Sequence, residues 1–161
     1  MQTAEGGPMT FKILLVHGPN LNLLGRREPG IYGTSGLDDI NKRMNSIANE
    51  CGAELQVFQS NSEGALIDAI HEAGDWADGI VINPGAYGHY SYAIRDALAA
   101  VNLPTIEVHI SNVFAREEFR YKSVIASVVI GCITGLGWRS YSCAIQSLVG
   151  ILQDRAIQLS E

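Results

Sequence analysis

The chain has 161 residues, 47% hydrophobic and 17% charged, which is enough for one self-sustaining globular domain and leaves little room for a second. Its formal net charge of −6 at pH 7 argues against a nucleic-acid or anionic-membrane surface, and no segment approaches the roughly 20 apolar residues of a membrane span. Cys51, Cys132 and Cys143 show no C-x-x-C spacing, so neither a disulfide framework nor a zinc site is expected.

The chain is expected to begin with a flexible leader, residues 1–10, and to continue as a single domain over residues 11–161. The leader lacks the basic start and apolar stretch of a signal peptide, which favours a cytoplasmic protein. Five apolar runs of strand length follow, at residues 12–17, 54–59, 79–83, 105–110 and 128–133.

Segments of helical period separate these runs. The first helix has apolar residues from Leu37 to Cys51 at steps of three and four, and the second is predicted to begin with a capping box from Ser60 to Glu63. A third runs from about Ser91 and ends before Pro104, residues 114–121 form a short fourth, and the last has a face that begins at Tyr141.

Apolar strands that alternate with helices predict a parallel α/β sheet covered by helices on both faces. Five such units favour a flavodoxin-like, doubly wound sheet with the strand order 2-1-3-4-5. Ligands of open parallel sheets bind outside the carboxyl ends of the strands, so the functional residues are expected at that edge.

Polar residues follow four of the predicted strands, at positions 17–20, 59–61, 83–85 and 109–112. Asn and Gly are also ordinary turn formers, so any one of these strand ends could be turn chemistry alone. Four such ends at one edge of the sheet favour a binding site instead.

The loop over residues 25–33 is long for a strand-to-helix connection and is bounded by glycines, as is typical of a lid. It carries Arg26 and Arg27, which we expect to lie near Arg116 and Arg120. Four arginines around one cleft predict an anionic ligand, most simply a carboxylate.

Several common chemistries lack their motifs. The sequence contains neither G-x-G-x-x-G after a strand nor a P-loop, and no G-x-S-x-G elbow. None of the three lysines follows a strand end, and the four histidines lack the close spacing of metal ligands. No metal and no cofactor are therefore expected, and proton transfer by Tyr, His and a carboxylate remains.

Tyr32 and His109 are the candidates for proton transfer. A tyrosine with a pKa near 10 becomes a useful base where neighbouring guanidinium charge stabilises the phenolate, and Arg27 lies close in the loop. His109 follows Glu107 on the same side of a strand, so the carboxylate could orient the imidazole of a general acid. Asn20 could stabilise an oxyanion. The structural alternatives are an aromatic plug for Tyr32 and a satisfied core histidine for His109.

Five segments of the chain closely resemble type II 3-dehydroquinate dehydratase, in order and at suitable spacing. They are HGPNLNLLGRREPGIYG at residues 17–33, QSNSEG at 59–64, INPGA at 82–86, IEVHISN at 106–112 and AREEFR at 115–120. The similarity runs from about Ile13 to Leu148.

The resemblance implies a flavodoxin-like subunit of a dodecamer built from trimers. It also implies the dehydration of 3-dehydroquinate to 3-dehydroshikimate, an anti elimination through an enolate without metal or Schiff base. By the same resemblance Tyr32 is the base, Arg27 lowers its pKa, Asn20 stabilises the enolate and His109 protonates the departing hydroxyl.

The resemblance further assigns substrate binding, with the aspartate supplied by a neighbouring subunit. The matching residues are Asn83, His89, Asp96, Ile110, Ser111 and Arg120, with Arg116 near the site. The chain departs from the family pattern around these groups, at Gly88, Tyr90, Phe114, Tyr121 and Lys122. A non-catalytic anion-binding module of the same fold is the alternative, and the choice between shikimate biosynthesis and quinate breakdown stays open.

Overall fold

The structure, a computed structural model, describes residues 9–26, 28–32 and 34–160, except for the side chains of residues 29 and 32. Within these residues one parallel sheet is formed by β1 (Phe11–His17), β2 (Ala53–Gln59), β3 (Gly79–Asn83), β4 (Thr105–His109) and β5 (Gly131–Thr134). The strand order is β2-β1-β3-β4-β5, as predicted.

Helices connect the strands and cover both faces of the sheet. The connecting elements are the α-helices α1 (Pro29–Tyr32), α2 (Leu37–Glu50), α3 (Glu63–Ala73), α4 (Tyr92–Val101) and α5 (Arg139–Gln158), and short 3₁₀ helices at Leu21–Leu23, Gly85–His89, Val113–Ala115, Glu118–Arg120 and Ala126–Val128.

Alternation along β1 divides the core into two apolar layers. Ile13 and Leu15 point to the side of α2 and α5, where they pack in one buried cluster. Leu14 and Val16 point to the opposite side and pack with buried residues of α3 and α4. The predicted helix-covered sheet is therefore confirmed, and its parallel strands bring their carboxyl ends to one edge.

Three predicted elements differ from the structure in the second half of the chain. The strand predicted at residues 128–133 begins only at Gly131, because Ala126–Val128 form a 3₁₀ turn. The backbone N–H of Ile130, just before the strand, donates a hydrogen bond to the Thr105 carbonyl at 2.8 Å. The short helix predicted at residues 114–121 is wrong: the segment forms two 3₁₀ helices separated by extended residues. The strand predicted to reach Ile110 ends at His109.

The capping box predicted from Ser60 to Glu63 is also wrong. Ser62 is the N-cap of α3, and its hydroxyl accepts the Ala65 amide at 3.4 Å. The Ser60 hydroxyl accepts a hydrogen bond from the Ser62 backbone N–H at 3.0 Å, before the helix begins. Glu63 instead accepts a hydrogen bond from the Ser91 hydroxyl, so its carboxylate links α3 to the start of α4.

The predicted leader lies mostly outside the described residues, since only Met9 and Thr10 of it are described and they have no regular secondary structure. The assignment of residues 11–161 to a single domain stays a prediction. Among the helices that the structure describes, none is long and apolar enough to cross a membrane.

Candidate active site

A cavity lies at the carboxyl edge of the sheet and is open to solvent. Its volume is about 650 Å³ when the solvent-filled mouth is included. The loops after β1, β3 and β4 line it, in agreement with the expected position of a ligand in an open parallel sheet. It brings together the predicted site residues Asn20, Asn83, His89, His109, Ile110, Ser111, Arg116 and Arg120.

The loop after β1 approaches the loop after β3 very closely, which requires a glycine. A Cβ atom on Gly18 would lie 2.4 Å from the carbonyl oxygen of Pro84, so no other residue fits there without displacing backbone. Asn20 follows in the left-handed conformation, with φ 67°. Its backbone N–H donates a hydrogen bond to Asn61 Oδ1 at 2.9 Å. Its side chain is exposed at the mouth of the cavity.

His109 and Glu107 form a buried dyad, as their alternation on β4 predicted. The His109 Nε2 atom lies 2.7 Å from Glu107 Oε1, and Glu107 is fully buried. The Ser123 hydroxyl donates to the second carboxylate oxygen at 2.7 Å. Because the carboxylate accepts the proton on Nε2, Nδ1 is the ring nitrogen of His109 left for a ligand.

A second imidazole lies against the dyad. The rings of His89 and His109 are stacked, with centroids 6.1 Å apart and an interplanar angle of 13°. His89 Nδ1 donates to the Lys122 carbonyl at 2.9 Å. Burial lowers the pKa of His89, so the neutral ring can offer Nε2 as an acceptor.

Two guanidinium groups give the cavity its positive charge. Arg116 donates to the Ser111 hydroxyl at 3.2 Å, and Arg120 binds the Glu117 carboxylate at 2.7 Å. The Arg120 hydrogen bond holds the pKa of Glu117 below its usual value. Arg26 is exposed and does not line the cavity, so the predicted four-arginine cluster is reduced to Arg116 and Arg120 in the described part of the chain.

One group of possible metal ligands adjoins the cavity. Donor atoms of Glu107, His109 and Cys132 lie within 4.8 Å of one another. Burial, together with the charge of Glu107, raises the pKa of the Cys132 thiol to about 12, and both oxygens of Glu107 already accept hydrogen bonds. A cation could bind there only by displacing the thiol proton and breaking the dyad.

Three predicted site residues are not placed in this cavity. Arg27 and the side chain of Tyr32 lie outside the described residues. Asp96 is exposed on α4, where its carboxylate pairs with Arg95 at 2.8 Å, and it does not line the cavity of its own chain. The neighbour of Tyr32 on α1, Ile31, lines an adjoining cavity whose wall includes Ile110, Ser111 and Arg116 of the first.

His17 ends β1, as predicted, but its side chain is fully buried and does not line the cavity, so its place in the predicted binding edge is wrong. Its Nδ1 lies 3.1 Å from the hydroxyl of Tyr141, and its Nε2 lies 2.8 Å from Asn41 Oδ1. Burial lowers the pKa of His17 to about 4, although the hydrogen bond to Asn41 opposes the shift. Tyr141 and Ser123 were not identified from the sequence as site residues, although a buried tyrosine usually finds a partner for its hydroxyl.

The burial of His17 predicts a pH-dependent stability. The folded protein keeps this ring neutral down to about pH 4, whereas in the unfolded chain it takes up a proton near pH 6.5. The unfolded state therefore binds more protons between these values, and the free energy of unfolding should fall as pH falls, by up to about 3 kcal/mol at 1.36 kcal/mol per pKa unit. Urea unfolding at pH 7 and pH 5 measures it. A His17→Gln variant should lack this component, and an identical pH dependence in both proteins would contradict the assignment.

The residues that depart from the family pattern leave the dyad intact. Gly88 is buried, and a Cβ there would lie 2.7 Å from Pro84 Cγ. Tyr90, Phe114 and Tyr121 are exposed, and the Lys122 carbonyl accepts the hydrogen bond from His89. Tyr90, Phe114 and Tyr121 thus change the exposed surface, and none of the departures takes part in the hydrogen bond between His109 and Glu107.

A parallel α/β sheet with a His–Glu dyad and two arginines at its carboxyl edge has the groups that an enzyme needs to transfer protons on an anionic small molecule. The family model of class II dehydroquinases matches residues 11–149. Over 142 residues, 88% of this chain and 96% of the relative, the chain is 55% identical to a 3-dehydroquinate dehydratase from Halothermothrix orenii. A Bacillus licheniformis protein of the same name is 59% identical over 133 residues, 83% of this chain and 92% of the relative.

Solved structures agree with the sequence comparison. The crystal structure of a type II dehydroquinase from Propionibacterium acnes superposes with a TM-score of 0.84 at 46% identity, covering 89% of this chain and 99% of that one. The chain belongs to the class II dehydroquinase family.

Proposed function

We propose that the protein is a 3-dehydroquinate dehydratase, which converts 3-dehydroquinate to 3-dehydroshikimate and water. The observation that carries the proposal is the buried His109–Glu107 dyad, which opens onto a cavity lined by Arg116 and Arg120. A non-catalytic anion-binding module would use the arginines but has no need of a buried carboxylate that orients an imidazole.

The elimination divides into two proton transfers. Tyr32 removes the proton next to the ketone, with Arg27 stabilising its phenolate, and the Asn20 side chain stabilises the enolate oxygen. His109 then protonates the hydroxyl as its carbon–oxygen bond breaks, and water leaves. The carboxylate of Glu107 supports this step, because it stabilises the imidazolium and fixes the ring.

The remaining lining residues are suited to hold a polyhydroxylated carboxylate. Ile110, Ser111, Arg116 and Arg120 line the cavity, and we assign the backbone amides of the first two, with both guanidinium groups, to the substrate carboxylate. Asn83 and His89 line the same cavity and serve the hydroxyl groups.

The direct test incubates the purified protein with 3-dehydroquinate and follows the enone absorbance of the product. The dehydratase produces a time-dependent rise that scales with enzyme concentration and persists in a chelator. No rise above the blank, combined with calorimetric binding of the substrate, would favour the binding module instead.

Arg120→Ala should raise the KM for 3-dehydroquinate about 10- to 100-fold, because it removes a charge-assisted hydrogen bond to the substrate carboxylate. Arg155→Ala is the matched control, since Arg155 is exposed in the last turn of α5, and its KM should equal that of the wild type. Steady-state kinetics measure both. An unchanged KM in Arg120→Ala would show that this guanidinium does not bind substrate.

We further propose that the subunits form a dodecamer built from trimers, in which Asp96 reaches the site of a neighbouring subunit. The exposure of Asp96 on α4 and its position outside its own cavity support this arrangement, as do the exposed aromatic side chains of Tyr90 and Tyr92 around the start of the same helix. Sedimentation equilibrium tests it, and a monomeric mass for the active enzyme would refute it.

The proposal places the enzyme in the cytoplasm. Cys51, Cys132 and Cys143 are all free thiols, which suits a reducing compartment. The reaction itself fits both aromatic biosynthesis through the shikimate pathway and the breakdown of quinate. Activity in the cytosolic fraction of the source cells would test the location, and recovery only outside it would refute the assignment.

A further inference from the structure

A continuous chain of hydrogen bonds lies directly beneath the cavity. The Asn83 side-chain amide donates to the Tyr141 hydroxyl at 2.8 Å, that hydroxyl lies 3.1 Å from His17 Nδ1, and His17 Nε2 lies 2.8 Å from Asn41 Oδ1. These residues come from β3, α5, β1 and α2. Asn83 alone among them lines the cavity.

One backbone amide fixes the orientation of Asn83, and the directions of the other hydrogen bonds follow when each donor is paired with an acceptor. The Gly85 amide donates to Asn83 Oδ1 at 3.2 Å, so the NH₂ group of Asn83 faces Tyr141. The Tyr141 oxygen accepts from Asn83 and gives its own proton to His17 Nδ1. His17 Nε2 must then carry the ring proton and donate it to Asn41. Turning over the Asn83 carboxamide would place its NH₂ group against the Gly85 amide, and the opposite tautomer of His17 would leave the Tyr141 hydroxyl proton without this acceptor.

The hydrogen-bonded residues are buried within an otherwise apolar layer. Tyr141 and His17 are 0% exposed and Asn83 is 3% exposed, and Tyr141 packs among apolar residues of α2 and α5. Burial keeps His17 neutral, which preserves Nδ1 as the acceptor that Tyr141 requires. Packing alone would be served as well by phenylalanine at residue 141, whereas the hydroxyl acts on the orientation of Asn83.

On the basis of the proposed function, we propose that Tyr141 and His17 are positioning residues. They hold the carboxamide of Asn83 in one orientation for the substrate. The second N–H of Asn83 and the free lone pair of its Oδ1 are then presented to the cavity as a fixed donor and a fixed acceptor. Asn83 binds the substrate, and the two buried residues act only through it.

A double-mutant cycle tests this dependence. Tyr141→Phe removes only the hydroxyl and should lower kcat/KM about tenfold in the wild-type background, the usual effect of leaving a buried polar partner unsatisfied. In the Asn83→Ala background the same substitution should change kcat/KM less than about twofold, since the group it orients is gone. Equal losses in both backgrounds, or no loss in either, would overturn the proposal.

Ser140→Ala is the matched control for stability. Ser140 is buried beside Tyr141, but its hydroxyl accepts the Leu136 amide at 3.2 Å and does not contact Asn83. Its loss should lower the melting temperature while kcat/KM stays at the wild-type value. If Ser140→Ala and Tyr141→Phe lower kcat/KM equally, the effect is general destabilisation and the positioning role is refuted.

A spectroscopic readout separates this inference from the proposed function. Nitrogen-15 NMR of the wild-type protein at pH 6 should show His17 as the neutral Nε2–H tautomer, and Tyr141→Phe should change its Nδ1 shift. A protonated ring or the Nδ1–H tautomer would refute the hydrogen-bond chain even in an active enzyme. A wild type without dehydratase activity but with this tautomer would refute the proposed function and leave the chain of bonds standing.

Discussion

Replacing His109 by alanine should lower kcat for dehydration by about 10²- to 10⁴-fold, the usual contribution of a general acid. The variant loses the group that protonates the departing hydroxyl, so the carbon–oxygen bond must break without a proton donor. It also removes one hydrogen-bond partner of the buried Glu107 carboxylate, to which the Ser123 hydroxyl still donates. Steady-state turnover of 3-dehydroquinate measures the loss.

The control for this prediction is His71→Ala. His71 is exposed in the last turn of α3, remote from the carboxyl edge of the sheet, and its removal should leave kcat unchanged. Because His109→Ala disturbs a buried charge, circular dichroism must first establish that the variant is folded. A folded His109→Ala enzyme with near-normal turnover would eliminate His109 as the acid.

The fold was predictable because the three central strands, β1, β3 and β4, are buried almost throughout. Runs such as residues 79–83 are continuously apolar, and each is followed by a segment of helical period, which together define a helix-covered parallel sheet. The edge strand β5 was harder to predict, since half of it is exposed and the apolar residues before it include Val128, which lies in a 3₁₀ turn. Apolar character alone does not separate such a turn from a strand.

The site was predictable wherever its residues obey one rule: ligands of open parallel sheets bind at the carboxyl ends of the strands. Asn83 and His109 line the cavity as that rule requires, and the spacing of Glu107 and His109 indicated their contact. The rule was wrong for His17, whose partner Tyr141 lies 124 residues away on a helix whose periodicity reports only an apolar face. Asp96 illustrates another limit, because one chain does not contain the site that we propose for it.

Tyr32→Phe should also lower kcat by orders of magnitude with little effect on folding, since only the phenolic oxygen that we propose as the base is removed. Tyr32 ends the short helix α1, and its neighbour Ile31 borders a cavity that shares Ser111 and Arg116 with the substrate site. A phenylalanine there keeps the ring and removes the proton acceptor. Near-normal turnover would contradict the assignment of the base.

Loss of turnover in both variants would not by itself separate their roles, but isotope exchange does. If Tyr32 forms the enolate and His109 acts afterwards, then His109→Ala should still exchange the substrate proton next to the ketone with deuterium from solvent, although it releases little product. Tyr32→Phe should lose this exchange together with dehydration. Proton NMR of 3-dehydroquinate in D₂O measures both variants and a protein-free blank. Exchange that survives in Tyr32→Phe and disappears in His109→Ala would reverse the two roles, because the residue required for exchange is the one that makes the enolate.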